Sequence, residues 1–392
     1  MHGALLAVGL WGVYAWAMSR PGRVDRNGLI KGADFLHFYT LGNLALERRG
    51  DLLYDSSAQA ALSRTLIPEA VNYFYVPLYG PQVSVFFAPI SRLPYLWALA
   101  VWISLNIVVY AFCCFAVWRN CPSLEDKRST IAILAAAFPG FFHLVLWGQT
   151  SGLALLSFTL AYVALRSGHP VFAGVAIGSL IFKPQLGLAA AVVFLFAREW
   201  LILLSAVITG VAQLATGWLY YGRVAMERYF HAVEHIRDVL PLLEPRPYQT
   251  HSLRSFWSLL VPWSSVSSVL YAATAILTLV IAVRCWRSGL SLEIKYSSLL
   301  LVTVLVAPHL TVYDLVILAP AFLFLGDWAI AHPQDPTTPA VQSLLYLSYP
   351  LFLAGPLARL THLQLSVGAM GILLCLIWRL AIGTESRAAR LE

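Results

Sequence analysis

Apolar runs close to the length of a bilayer crossing recur along this chain, separated by short polar breaks. A helix needs about 20 such residues to cross hydrocarbon. The first run covers about residues 3–19, and a mixed, polar stretch follows from Arg20 to Tyr79. Tyr95 to Trp118 reads as a full span. Further runs lie near 130–147, 151–166, 170–182, 185–197 and 201–220, then near 266–284, 296–307, 312–326, 340–357 and 364–382. A second polar stretch runs from Tyr221 to about Trp257. The runs are continuous rather than alternating, so they predict helices and not barrel strands. The expectation is an all-α polytopic bundle of about twelve transmembrane helices, one domain over 1–392, with loops at about 20–79 and 221–257.

Shorter signals punctuate the first loop. Leu41, Leu44 and Ala45 recur at helical spacing and Gly50 can stop the turn, which predicts a short helix just after the Asp34 stretch. A second is predicted over 56–66, capped by Asp55 or Ser56. Val83 to Ile90, bounded by Pro81 and Pro89, is too short to cross and suits a re-entrant or interfacial segment.

Composition agrees with the pattern. The 392 residues are 59% hydrophobic and 11% charged, where a soluble domain carries about 25% charged residues. Mean hydropathy is +0.72. The net charge of +7 suits arginines anchoring helix ends near anionic headgroups, or a lipid-phosphate substrate, rather than nucleic acid. The five cysteines form no CxxC pair, so neither a zinc site nor a disulfide framework is indicated. The run from His2 to Ser19 lacks a basic leader and a small-residue cleavage site and reads as a retained span. Short loops carrying Arg119, Lys127, Arg128, Arg166, Arg198, Arg284, Arg287 and Lys295, with Arg379, Arg387 and Arg390 near the end, fall on one side. The positive-inside rule makes that side cytoplasmic, so both polar loops face outward.

Chemistry is expected at the breaks. Asp34 stands in Ala33-Asp34-Phe35-Leu36-His37-Phe38-Tyr39, where the chain leaves the bilayer. An acidic residue near membrane depth is usually functional; the plainer reading is a helix cap or a loop carboxylate paired with Lys31 or His37. Ile181-Phe182-Lys183-Pro184-Gln185 interrupts an apolar run at a proline, which places a lysine to hold a phosphate oxygen or to snorkel to headgroups. Trp147-Gly148-Gln149-Thr150-Ser151 offers an amide and hydroxyls suited to sugar hydroxyls, or a tight turn. Pro308-His309-Leu310-Thr311-Val312-Tyr313-Asp314 brings an imidazole, a phenol and a carboxylate, unless Asp314 caps the helix that follows. All these breaks fall on the outward side of the expected topology. His231-Ala232-Val233-Glu234-His235 matches a short zinc-peptidase pattern but has no evident third ligand. Gly174 and Gly178, four apart, predict close helix packing. No phosphate-binding glycine loop of the nucleotide-binding kind occurs.

At these residues the chain resembles glycosyltransferase family 87, within the polytopic GT-C superfamily. The resemblance rests on Asp34-Phe35 with Tyr39, Leu53-Tyr54-Asp55 after a glycine, Phe74-Tyr75-Val76-Pro77, Gly148-Gln149, Phe182-Lys183-Pro184-Gln185, and Pro308 with Tyr313-Asp314, spread over about residues 30–320. It implies a polyprenyl-phosphate sugar as donor, mannose foremost, and a glycan or glycolipid acceptor at the outer membrane face. It also implies Asp34 as catalytic base. Lys183, with His309 or an arginine of the first loop, would meet the leaving phosphate, and Gln149, Gln185, Tyr39, Tyr75 and Asp314 would bind the substrate sugars. No cofactor is indicated, and a divalent metal stays open. A lipid or polar-solute transporter is the alternative, although transporters tend to show internal repeats and midplane charges that this sequence lacks.

Overall fold

The computed structural model describes residues 1–243 and 246–388; Arg390, counted above with the basic residues, lies outside them. Among the described residues all regular structure is helical, apart from two isolated bridges, Val24 with Ile30 and Thr250 with Thr311. After α1 (His2–Met18) come α2 (Ala33–Leu46), α3 (Ser56–Leu66), α4 (Pro81–Phe87) and α5 (Tyr95–Trp118). Then follow α6 (Arg128–Ala136), α7 (Pro139–Trp147), α8 (Ser151–Arg166), α9 (Pro170–Gly178), α10 (Pro184–Ala197) and α11 (Trp200–Tyr221). The second polar stretch holds α12 (Arg223–Glu234), α13 (Ile236–Leu243) and α14 (Leu253–Leu260). The chain closes with α15 (Ser264–Arg287), α16 (Leu292–Val306), α17 (Ala319–Ala331), α18 (Thr338–Leu353), α19 (Gly355–Thr361) and α20 (Leu365–Ala388).

Among the described residues five helical segments are long and apolar enough to cross a membrane, or seven if each of two bent pairs counts as one span. The expected dozen is therefore not reached on length and composition. The reason lies in the breaks themselves. The run near 130–147 bends by 47° between α6 and α7 at Pro139. The run near 170–182 finishes as a 3-10 turn, Ser179–Phe182, ahead of Pro184. A proline lacks the N–H that would continue the helical ladder and clashes with the preceding turn. α16 is only 15 residues long, yet it is buried from Tyr296 to Leu305 and forms the centre of the main core. Gly174 and Gly178 do mediate close packing. A Cβ on either would lie 2.3 Å from a carbonyl of α11, that of Ile202 or Ala206.

The first polar stretch is no open loop. α2 contributes Phe35, Leu36, Phe38 and Tyr39 to a second core, against Phe87, Tyr95 and Trp102. The predicted helix begins eight residues earlier than its apolar spacing suggested, at Ala33, so Asp34 sits in its first turn. α3 forms as predicted, and the Asp55 carboxylate accepts the N–H groups of Ser57 and Ala58 as an N-cap. The two polar stretches dock on each other: the Arg228 guanidinium donates to the Asp51 carbonyl and Tyr54 packs on Tyr229.

Candidate functional site

Asp34 is held in place through its backbone. Gly32 precedes α2 in the left-handed region (φ +63), where a Cβ would lie 2.4 Å from Leu99. The Tyr95 hydroxyl reaches the carbonyls of Lys31 (2.8 Å) and Gly32 (3.0 Å), and the Tyr75 hydroxyl donates to the Ala33 carbonyl. Two phenols thus pin the three residues before Asp34, and a carboxylate so positioned keeps its direction with little entropy left to lose.

The 147–151 break approaches from the opposite side. Gly148 adopts φ +67, and a Cβ there would stand 2.8 Å from the Phe35 Cβ. The Trp102 indole N–H donates to the Gly148 carbonyl at 2.9 Å. That close approach lets the Gln149 amide donate to the Asp34 carboxylate at 2.9 Å. Asp34 pairs with neither Lys31 nor His37. The Lys31 ammonium goes to the Arg20 carbonyl. His37 is buried, its ring tilted against that of Tyr75 at 4.8 Å, with no hydrogen-bond partner for either ring nitrogen.

The other two breaks meet through an ion pair. Lys183 Nζ lies 2.6 Å from Asp314 Oδ1 and 2.8 Å from Ser151 Oγ, and the Ser151 hydroxyl donates to the same carboxylate oxygen at 2.6 Å. Lys183 is only 4% exposed and Asp314 2%, so the lysine does not snorkel to headgroups. Asp314 also caps: its Oδ2 accepts from the backbone N–H and hydroxyl of Thr311, starting the 3-10 turn Val312–Leu318. The capping role and the site role therefore coexist, one per carboxylate oxygen. The Lys183 ammonium also lies 5.1 Å from the Tyr313 ring centroid.

These groups share one electrostatic neighbourhood. Burial pushes the Asp34 carboxyl from the ordinary range up to about 6. The Gln149 hydrogen bond and the charges of Lys183 and His309 act against that rise, while Asp314 adds to it. Burial likewise raises the Tyr79 phenol, which feels both Asp314 and Asp34. Tyr79 carried no sequence signal beyond an aromatic following Pro77.

The sequence-derived candidates thus divide. Asp34, Gln149, Lys183, His309 and Asp314 come together, and Tyr75 supports Asp34 from behind. Tyr39 does not join them: its hydroxyl is committed to the Leu93 carbonyl at 2.9 Å, inside the second core. Gln185 is half-buried in the first turn of α10 and makes no hydrogen bond to the cluster. The second polar stretch closes on the same end. His251 N–H donates to the Leu310 carbonyl at 3.0 Å, and the Arg254 guanidinium to the Pro308 carbonyl at 2.9 Å. The exposed rings of His231, near the end of α12, and His235, just past it, stack on each other at 4.2 Å, and among the described residues no group of three His, Cys, Asp or Glu is placed to hold a metal.

A family model described as glycosyltransferase family 87 matches residues 78–308. No curated protein and no solved structure matches the chain. The matched segment contains Gln149, Lys183 and Pro308 but begins after Asp34 and ends before Asp314.

Proposed function

The chain belongs to glycosyltransferase family 87, and from that premise we propose that it moves a hexose, mannose first, from a polyprenyl-phosphate donor to a hydroxyl of a lipid-linked glycan at the outer membrane face. The observation that carries this reading is the Asp34 carboxylate. It is half-buried, fixed by Gln149, and set beside a buried cation at the end of the bundle where three helix breaks converge.

The step balances with one base. The acceptor O–H gives its proton to Asp34 as its oxygen bonds to the anomeric carbon. The bond from that carbon to the phosphate oxygen breaks in line, and the lipid phosphate leaves with the electron pair. Configuration inverts. A base raised to about 6 is ionised near neutrality and still basic enough to share a proton in the transition state. The leaving phosphate gains negative charge and needs a preorganised donor. Lys183 uses two of its three N–H donors on Asp314 and Ser151; the third meets the phosphate, with His309 beside it. Because Asp314 offsets the charge of Lys183, this contact acts as a directed hydrogen bond more than as a net cation. Gln149 and Tyr79 complete the walls around the sugar.

The test is donor choice by the full-length protein in proteoliposomes. Polyprenyl-phosphate mannose is expected to support transfer, and nucleotide-linked mannose is expected to fail. Transfer from the nucleotide sugar alone, or uptake of a labelled solute without transfer, would overturn the proposal.

A further inference from the structure

A second feature lies at the other end of the bundle. α5 begins at Tyr95, beside Asp34, and Tyr110 stands fifteen residues farther along it, about 22 Å at the helical rise. From there two apolar cavities flank the short helix α6. One has a volume of about 480 Å³ and the other about 540 Å³. They share Tyr110, Cys114, Ile131 and Ala135, so the two cavities adjoin along α6. None of the residues of α6 is buried. Each cavity is lined by one basic residue from the start of this helix, Lys127 in the first and Arg128 in the second. The neighbouring Glu125 and Asp126 line neither cavity. The Arg128 guanidinium rests 5.3 Å from the Trp118 ring centroid, a basic–aromatic pairing of the kind that marks membrane interfaces.

We propose that this space is a binding site for one anionic two-chain phospholipid, whose acyl chains straddle α6 and whose phosphate lies between Lys127 and Arg128. Two apolar slots separated by one helix match two chains joined at a headgroup. A single isoprenoid chain would fill one slot and leave the other open. The two cations at the joint select a net negative headgroup, since each basic residue near a membrane surface favours anionic lipid by about 1 kcal/mol. The site is independent of the transfer chemistry. Its occupant fills the gap between α5, α6 and the rest of the bundle, which protein side chains leave unpacked.

The experiment is native mass spectrometry of the full-length protein released from detergent, after exchange into equimolar phosphatidylglycerol, phosphatidylcholine and polyprenyl phosphate. One phosphatidylglycerol is expected to remain bound in preference to phosphatidylcholine. The exposed pair Lys127→Ala/Arg128→Ala is expected to weaken that preference by about tenfold or more. Leu134→Trp projects an indole into the first cavity and is expected to weaken retention of the two-chain lipid. Should that variant fail to fold, the charge pair still decides, because both of its side chains are exposed. Equal retention of both phospholipids, unchanged retention in the double variant, or retention of a single-chain isoprenoid phosphate in place of the two-chain lipid would overturn the proposal.

Discussion

Asp34→Asn separates a catalytic carboxylate from a structural one. The carboxyl rises from its ordinary 3.8 to about 6 because it is half-buried. A raised folded-state pKa means the unfolded chain gives up this proton first as pH climbs. The contribution of Asp34 to stability therefore falls between pH 3.8 and about 6 and stays low above that window. At 1.36 kcal/mol per unit, ionised Asp34 costs at most about 3 kcal/mol. Asparagine keeps the shape and the amide contact with Gln149 while removing that cost, so the variant should melt no lower than the wild-type protein at pH 7.5. Its turnover should still fall by roughly 10²–10⁴, the range a positioned general base supplies. The wild-type kcat/KM should climb with unit slope to a limb near pH 6 and then level off, being about nine-tenths of maximal at pH 7. The Asn variant should show no such limb. Transfer by Asp34→Asn at more than a tenth of the wild-type rate would remove Asp34 as the base, as would an activity loss that follows loss of fold.

Three further outcomes follow from the same contacts. Gln149→Leu removes a donor that favours the ionised form of Asp34, so the acidic limb of the pH profile should move above 6; an unmoved limb would dismiss the contact. Lys183→Met strands Asp314 as a buried charge and should lower unfolding stability by about 3–5 kcal/mol, while Lys183→Met/Asp314→Leu should recover most of it; equal losses in both variants would contradict the pairing. Gly148→Ala forces a side chain into a left-handed conformation and against Phe35. It should lower stability by about 1–2 kcal/mol and reduce kcat by displacing Gln149, read by thermal melting beside the transfer assay.

The polar breaks were more legible in the sequence than the lengths of the helices around them. Polar residues interrupting apolar runs are conspicuous, because a bilayer tolerates Lys183 and Asp314 only where protein satisfies them. That they would satisfy each other was not legible. A lysine at a break can reach a headgroup as easily as a carboxylate, and only the convergence of three breaks decides. Tyr39 misled for a related reason: i and i+5 on one helix point apart, so its hydroxyl left Asp34 behind and found Leu93. The helix count suffered because a proline inside an apolar run ends the ladder while hardly changing the hydropathy that marks a span. α16 shows the converse. It is too short to cross by itself, yet every residue from Tyr296 to Leu305 is fully buried. The anchoring of Asp34 by Tyr75, Tyr95 and Trp102 depends on contacts 42 to 64 residues apart, which no local pattern encodes.

The most direct measurement is a structure of the protein with a non-transferable phosphonate analogue of the lipid-linked sugar and an acceptor bound together. An Asp34 carboxylate oxygen is expected about 2.6–3.2 Å from the attacking acceptor hydroxyl, with the phosphonate against Lys183 and His309. A sugar bound at the opposite end of the bundle, or an acceptor hydroxyl facing another carboxylate, would contradict that placement.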